Sequence, residues 1–212
     1  HRIGDDTVGM HALAADLEQA RPGSSLVVEA DLARFDALPE LVARTVGRFG
    51  RLDALVNNAA AFFPTPFGTV TPDQWDALLA ANLRAPFFLS QAAAPHLRAA
   101  RGAILNISDV YARQPRADLA AYATSKGALE AMTRALAVAL APEVRVNALA
   151  PGAILWPEDA PDPALQARIL ARTALGRTGT VEEIADTALW LLRDAGYTTG
   201  TVVAVDGGRE PV

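Results

Sequence analysis

GAILNISDVYARQPRADLAAYATSKGALEAMTRALAVALAPEVRVNALAPG, residues 102–152, is the stretch that decides the fold class. It opens with an apolar run at 102–108, continues as an Ala- and Leu-rich helical pattern at 120–141, and returns to an apolar run at 143–150. Short apolar runs are typical of strands buried on both faces, and a helix between two of them forms a crossover in a parallel sheet. We therefore predict a strand–helix–strand unit over this stretch.

The same alternation covers much of the chain. Apolar runs at 24–30, 52–58 and 201–205 predict further strands, and helical spacing at 37–49, 71–97 and 180–192 predicts further helices. Thr71 followed by Pro72, and Thr180 with Glu183, are typical helix starts. The pattern predicts an α/β doubly wound parallel sheet, Rossmann-like, in a single domain over residues 1–212. Ligands of such sheets bind at the carboxyl ends of the strands, so we expect the site there.

The beginning of the sequence departs from this plan. Dinucleotide-binding folds start with a strand, a Gly-rich turn and a helix whose N-terminus holds the pyrophosphate. HRIGDDTVG, residues 1–9, has two glycines but no preceding apolar run. We expect the first strand–helix–strand unit to be missing from the N-terminal side of this sequence. The alternative is a protein that never had this unit and cannot hold a dinucleotide.

Composition narrows the class of partner. With 51% apolar residues, 212 residues are enough for a packed core. There is no cysteine, and the three scattered histidines have no metal-ligand spacing, so we expect no metal site. A net charge of −5 and the lack of a long apolar run indicate neither a nucleic-acid nor a membrane partner. We expect a cytoplasmic protein that acts on a small molecule.

One pair of residues points to chemistry. The chain contains a single lysine, Lys126, against eighteen arginines, and it lies four residues after Tyr122 on a predicted helix. A free phenol has a pKa of about 10, and a nearby ammonium favours the phenolate. We predict that Lys126 lowers the pKa of Tyr122 so that the phenol can exchange protons near neutral pH. The alternative for this spacing alone is a surface Tyr–Lys pair without a catalytic role.

Several other motifs accompany this pair in a fixed order. They are ADL at 30–32, NNAA at 57–60, Asn82 within AANLRAPF, ILNIS at 104–108, YATSK at 122–126, VNALAPGA at 146–153 and VVAVDGG at 202–208. Together they make the sequence resemble the short-chain dehydrogenase/reductase family over essentially its whole length. The resemblance implies an NAD(P)-dependent oxidoreductase that assembles as a homo-oligomer, usually a homotetramer.

The resemblance also implies roles for individual residues. Tyr122 is similar to the family's proton donor, Lys126 to the residue that holds the nicotinamide ribose, and Asn82 to the asparagine that anchors a proton-relay water. The implied cofactor contacts, in addition to Tyr122 and Lys126, are Asp31, Leu32, Asn58, Ala59, Ala60, Ser108, Pro151 and Gly152. Local structural roles remain the alternative, since Asn82 could simply interrupt a helix and Pro-Gly is an ordinary turn signal.

Two positions depart from the usual family pattern. Asp109, thirteen residues before Tyr122, replaces the family's catalytic serine, and Trp156 stands where a threonine often follows Pro-Gly. The aspartate resembles the pteridine reductase branch, which NNAAAFFPTPF at 57–67 also resembles. In that branch Phe62 would stack a flat pterin against the nicotinamide, so we predict Phe62, Asp109 and Tyr122 as substrate contacts. The alternatives are a turn residue for Asp109 and a core aromatic for Phe62.

The cofactor preference rests on the N-terminus. His1-Arg2 resembles the basic pair that contacts the ribose 2′-phosphate in pteridine reductases, although Ile3 replaces the serine that follows it there. We therefore favour NADPH over NADH, with Arg2 as a phosphate contact. The resulting hypothesis is NADPH-dependent reduction of a pterin, such as a dihydrobiopterin or a dihydrofolate. The alternatives are a reductase of ketones or 3-oxoacyl groups, and a scaffold protein without activity.

Overall fold

A parallel sheet forms the centre of the molecule. The computed structural model describes residues 7–156 and 162–209. Its sheet has four strands, all parallel, in the order β1-β2-β3-β4. They are β1 (Ala54–Asn57), β2 (Ala103–Ile107), β3 (Arg145–Pro151) and β4 (Val202–Val205). Because all the strands run the same way, their carboxyl ends lie at one edge of the sheet.

Helices connect and flank the strands. They are α1 (Thr7–Ala20), α2 (Leu38–Phe49), α3 (Pro72–Leu79), α4 (Ala85–Ala100), α5 (Ala120–Leu140), α6 (Pro163–Ala171) and α7 (Val181–Arg193). The predicted helix starts at Thr71 and Thr180 are confirmed, because both hydroxyls accept a backbone N–H of the first turn in a full capping box. None of the helices in the described part of the chain is both long and apolar enough to cross a membrane.

Helices cover both faces of the sheet, as predicted. Ile104 and Val146 pack in one apolar cluster with residues of α2, α4 and α5. Leu105 and Leu149 pack on the opposite face, in a second cluster with Leu191 of α7. Alternate residues of β2 therefore contribute to different helical layers, which makes the domain an α/β Rossmann-like fold.

The structure departs from the sequence prediction at several elements. Residues 24–30 have no regular secondary structure and pair with no strand in the described part of the chain, and β1 has only β2 as a neighbour there. Val56 of β1 is consequently 45% exposed, although its apolar run predicted burial on both faces. The predicted helix 71–97 is interrupted by a π-helical turn at Ala80–Arg84, between α3 and α4. Helices α1 and α6 were not predicted, because their segments have weak apolar periodicity.

Candidate active site

Asn58, Asp109 and Gly152 lie where three neighbouring strands end. Asn58 directly follows β1, Asp109 comes two residues after β2, and Gly152 directly follows β3. All three positions therefore lie at the carboxyl edge of the sheet, where ligands of such folds bind. Asp31 follows the unpaired segment 24–30, so no strand register relates it to this edge.

A hydrogen bond joins the predicted acid to the unusual aspartate. The Tyr122 hydroxyl donates to Asp109 Oδ2 at 2.8 Å, and the other carboxylate oxygen accepts the Tyr111 N–H at 2.8 Å. Tyr122 lies in the first turn of α5 and is only 3% exposed. The two side chains come from different elements, so the fold itself creates this pair.

Lys126 lies one turn further along α5. The residue is 3% exposed, and its ammonium donates to the Ile107 carbonyl at 2.8 Å and lies 6.0 Å from the centre of the Tyr122 ring. This is the one hydrogen bond that the structure gives the ammonium among the described residues, although an ammonium has three N–H donors. The remaining donors fit the ribose hydroxyls of a nicotinamide nucleotide, so the residues present are compatible with such a cofactor.

Burial dominates the protonation equilibria of this group. Desolvation raises the pKa of Tyr122 far above its ordinary value, and the Asp109 charge raises it further. Burial also lowers the pKa of Lys126 to about 8, partly offset by the Asp109 charge. The pKa of Asp109 is raised by burial, against the hydrogen bonds from Tyr111 and Tyr122.

The predicted lowering of the Tyr122 pKa by Lys126 is therefore wrong for this arrangement. The phenol donates a hydrogen bond to a neighbouring carboxylate, and the ammonium donates one to a backbone carbonyl. Removing the phenol proton would place a second negative charge beside Asp109. Tyr122 consequently keeps its proton at neutral pH, which is the state that a proton donor needs.

Asn82 joins two walls of the site. It lies in the π-helical turn, is 1% exposed, and uses its side chain to bind both the N–H and the carbonyl of Ala61, at 2.8 and 3.0 Å. Its amide also donates to the Ser125 hydroxyl at 2.9 Å, and Ser125 donates to the Tyr122 carbonyl at 2.7 Å. The side chain thus holds the residue before Phe62 against α5. Its predicted role in anchoring a relay water stays a prediction.

Phe62 stands at the edge of the buried group. Its ring meets that of Tyr122 edge-on, with the ring centres 4.8 Å apart and the planes at 90°. Phe62 is 38% exposed, so one part of the ring packs on Tyr122 while another part faces outward. An aromatic ring in this position can contact a flat substrate that approaches the phenol.

The predicted cofactor contacts occupy different kinds of position. Asn58 and Ala59 are exposed and Ala60 is half-buried, so this segment offers small side chains to a ligand. Asp31 is exposed and accepts the Ala33 N–H at 2.9 Å, while Leu32 is half-buried.

The contacts after β2 and β3 complete this set. Pro151 and Gly152 are half-buried, and a Cβ on Gly152 would lie 2.7 Å from Asp206 Cα, so only glycine fits beside the end of β4. Ser108 is 3% exposed, and its hydroxyl donates to Glu130 on α5 instead of pointing to the exposed edge. Arg2 lies outside the described residues.

Sequence reasoning missed residues that surround this group. Tyr111 has two guanidinium groups near its ring, with Arg209 Cζ 5.0 Å and Arg116 Cζ 5.8 Å from the ring centre. Arg209 also moderates the raised pKa of Asp109 through its charge. No spacing in the sequence indicates these contacts, because β4 and the segment after β2 are far apart along the chain. Ser125 could have been found, since it lies three residues after Tyr122 on the same helix.

Comparison with known proteins identifies the family. The model of the family described as enoyl-(acyl carrier protein) reductase matches residues 6–210. A crystal structure from Brucella melitensis, described as a short-chain dehydrogenase/reductase of the glucose/ribitol dehydrogenase type, superposes with a TM-score of 0.86 at 31% identity. The match covers 98% of this chain and 84% of that one. This chain belongs to the short-chain dehydrogenase/reductase family.

Two further relatives of this short-chain dehydrogenase/reductase carry more specific descriptions. The L-xylulose reductase of Bos taurus is 37% identical, over 98% of this chain and 87% of that protein. A blue fluorescent protein from a metagenomic library, solved in complex with NADPH, has a TM-score of 0.89 at 33% identity, over 98% of this chain and 85% of that one. The protein is thus an oxidoreductase of a family that uses NAD(P)H.

Proposed function

We propose that this short-chain dehydrogenase/reductase uses NADPH to reduce a pterin, such as a dihydrobiopterin or a dihydrofolate. The observation that carries the proposal is the 2.8 Å hydrogen bond from Tyr122 to Asp109, beside the partly exposed ring of Phe62. A phenol paired with a carboxylate, next to an outward-facing aromatic ring, suits a flat substrate that needs both stacking and polar contacts along its edge.

Each residue of the group has a separate role in the proposed reaction. A bound reduced nicotinamide supplies a hydride to a carbon of a ring C=N bond. Tyr122 donates its proton to the nitrogen of that bond, so that the C=N becomes CH–NH and the charges balance. Asp109 takes hydrogen bonds from ring amino groups and steadies the phenol, while Lys126 binds the ribose hydroxyls. Phe62 stacks on the pterin ring and fixes the orientation of its plane.

Support for NADPH over NADH comes from two sources. The similar metagenomic protein was solved with NADPH. The basic Arg2 follows the family pattern for a 2′-phosphate contact, although it lies outside the described residues. A direct comparison of the KM values for the two nucleotides with the full-length protein tests this preference.

A carbonyl substrate is the second candidate, and a specific finding favours it. The relative from Bos taurus is an L-xylulose reductase, which is named for a carbonyl-bearing sugar. The phenol of Tyr122 can protonate a developing alkoxide as readily as a ring nitrogen. In this alternative Asp109 would contact substrate hydroxyls instead of ring amino groups.

Steady-state kinetics with a panel of substrates separates the two candidates. We expect the highest kcat/KM for dihydrobiopterin or dihydrofolate, and lower values for L-xylulose, simple ketones and a 3-oxoacyl thioester. Turnover of the carbonyl compounds without any pterin reduction would refute the pterin proposal. Absence of NADPH and NADH binding in a calorimetric titration would instead favour an inactive scaffold.

We also propose that the protein assembles as a homotetramer. Thr124, Ala131, Ala135 and Val138 form an exposed face of α5, with Val138 82% exposed. Phe87 on the neighbouring α4 is 40% exposed. Small and apolar side chains on adjacent helices suit the close packing of helices from a second copy.

A further inference from the structure

Glu130 is a buried acidic residue that the proposed reaction does not use. It lies on α5, two turns after Tyr122 and one turn after Lys126, and its side chain is only 7% exposed. An ionised carboxylate in such a place is unfavourable unless other groups compensate it. Its partners therefore indicate what the residue does.

Both carboxylate oxygens of Glu130 contact the segment that leaves β2. Oε1 accepts a hydrogen bond from the Ser108 hydroxyl at 3.1 Å, and Oε2 accepts one from Arg113 Nε at 3.2 Å. Ser108 is buried, whereas the Arg113 side chain is 51% exposed and reaches inward to the carboxylate. One side chain thus holds both ends of the segment 108–113.

That segment carries Asp109. It consists of Ser108, Asp109, the short 3-10 helix Val110–Ala112 and Arg113. Apart from the Tyr122–Asp109 bond, its other hydrogen bonds are of two kinds. The Ser108 N–H donates to the Leu149 carbonyl of β3 at 2.7 Å, and the remaining bonds lie within the turn, for example from the Tyr111 N–H to Asp109. These contacts orient the turn and connect it to the sheet. Tyr111 also packs against an apolar cluster that includes Ala121 and Tyr122 of α5, but among the described residues the only hydrogen bonds between the segment and that helix are those of Glu130 and the Tyr122–Asp109 bond itself.

The Tyr122–Asp109 hydrogen bond needs such a tie. Tyr122 belongs to α5 and Asp109 to the segment, so their 2.8 Å contact depends on how the two elements lie against each other. Displacement of a catalytic group by about 1 Å can reduce a rate about a hundredfold. Glu130 fixes the segment to the same helix, on both sides of Asp109.

We propose that Glu130 is a positioning residue for the Asp109–Tyr122 pair. The inference depends on that pair acting in the reaction, as in the proposed function, but it does not depend on which substrate is reduced. Its ties to Ser108 and Arg113 hold Asp109 where Tyr122 can donate to it. Loss of these ties lowers turnover without removing any group that touches the substrate or the cofactor.

Two substitutions at Glu130 distinguish the effect of its hydrogen bonds to Ser108 and Arg113 from the effect of burying a charge. Glu130→Gln keeps the shape and can accept from Arg113 while donating to Ser108, whereas Glu130→Ala removes both ties. Glu143→Ala is the matched control, because Glu143 is exposed in the turn after α5. We expect kcat to fall about tenfold in Glu130→Ala, with KM for the nicotinamide nucleotide within about twofold, and to stay close to wild type in Glu130→Gln and Glu143→Ala.

Hydrogen exchange gives a readout that needs no ligand. Amides of residues 108–113 are expected to exchange faster in Glu130→Ala than in wild type or Glu130→Gln. If Glu130→Ala does not fold, Arg113→Ala removes the solvent-side tie and is expected to lower kcat several-fold, with KM for the nucleotide unchanged.

Several results would overturn the proposal. Wild-type kcat in folded Glu130→Ala would do so, as would an equal loss in Glu130→Gln, or unchanged kcat in Arg113→Ala if that variant has to be used. The comparison uses whichever substrate the wild type reduces. Reduction of carbonyls alone would therefore reject the pterin proposal and leave this test intact.

Discussion

At the scale of single residues, the arrangement favours a tyrosine that stays protonated and a lysine that titrates near neutral pH. Burial and the Asp109 charge raise the pKa of Tyr122, while burial lowers that of Lys126 to about 8. The phenol is therefore ready to give a proton during reduction.

Asp109→Ser tests what the carboxylate adds. Serine is the usual family residue at this position, so the phenol should keep a hydrogen-bonding neighbour but lose a charged acceptor for ring amino groups. We expect kcat/KM for a pterin to fall at least about tenfold, and that for a carbonyl substrate to change much less. An unchanged kcat/KM for the pterin would remove Asp109 from the substrate site.

Lys126→Arg tests the need for a compact cation. Lys126 is 3% exposed and its ammonium reaches the Ile107 carbonyl in a buried site, where the wider planar guanidinium does not fit the same space. We expect kcat to fall about a hundredfold while the far-ultraviolet circular dichroism is retained. Arg134→Lys, an exposed exchange on the same helix, serves as the control and should leave kcat unchanged. Wild-type turnover of Lys126→Arg would contradict the proposed role.

The lowered pKa of Lys126 also predicts a pH dependence of stability. Between about 8, its folded value, and the ordinary 10.5, the folded chain has released this proton while the unfolded chain still binds it. The free energy of unfolding contributed by Lys126 therefore rises with pH in this range, by at most about 1.4 kcal/mol per pH unit. Below about pH 8 the unfavourable burial of the charge is fully present.

Urea unfolding of wild type and Lys126→Met at about pH 7 and about pH 9.5 measures this effect. The free energy of unfolding of wild type, relative to that of Lys126→Met, should be larger at the higher pH. The raised pKa of Tyr122 acts in the opposite direction, but only above about 10, where the unfolded phenol ionises. A difference that does not change with pH would show that Lys126 keeps its ordinary pKa in the folded protein.

At the scale of elements, the π-helical turn between α3 and α4 is what brings Asn82 into the site. Such turns frequently occur at functional sites, because the extra residue redirects a side chain. Here the redirected amide connects Ala61, next to Phe62, with Ser125 on α5. The turn therefore links the loop that carries the aromatic ring to the helix that carries the acid.

Asn82→Ala should weaken both stability and substrate binding. The substitution leaves the buried N–H and carbonyl of Ala61 without their partner, which costs about 1–3 kcal/mol per unsatisfied group. We expect a lower free energy of unfolding in urea and a raised KM for the substrate, because Phe62 is less well held. Ser125→Ala removes only one of the contacts and should have a smaller effect. Equal stability of Asn82→Ala and wild type would contradict this role.

The elements also show what the sequence could reveal. The buried strands β2 and β3, the long α5 and both capping boxes were predictable, because apolar runs and cap residues act locally. An interruption of the helix at Asn82 was one alternative from the sequence, but the π-helical form of the break at Ala80–Arg84 was not predictable, because it depends on contacts between Asn82 and distant backbone. Likewise, the order of motifs indicated Tyr122, Lys126 and Asp109, whereas the role of Glu130 depends on tertiary contacts with Ser108 and Arg113.

At the scale of the whole molecule, the candidate active site depends on how the sheet edge and α5 are held together. Asn58, Asp109 and Gly152 follow three adjacent strands, and α5 crosses between β2 and β3 with Tyr122 in its first turn. The opposite side of α5 is exposed at Thr124, Ala131, Ala135 and Val138, which are small or apolar. If this face packs against a second copy, assembly also fixes the helix that carries Tyr122 and Lys126.

Ala135→Glu tests this coupling between assembly and activity. Ala135 lies in the middle of the exposed face of α5, so a glutamate there would bury a charge against the partner's equivalent residue, which is strongly unfavourable. We expect light scattering to give the mass of a tetramer for wild type and a smaller species for Ala135→Glu, with kcat reduced in step with the loss of tetramer. Arg44→Glu on the exposed side of α2 is the control and should keep both mass and kcat. A wild-type mass for Ala135→Glu would place any interface elsewhere, and full activity in a smaller species would separate catalysis from assembly.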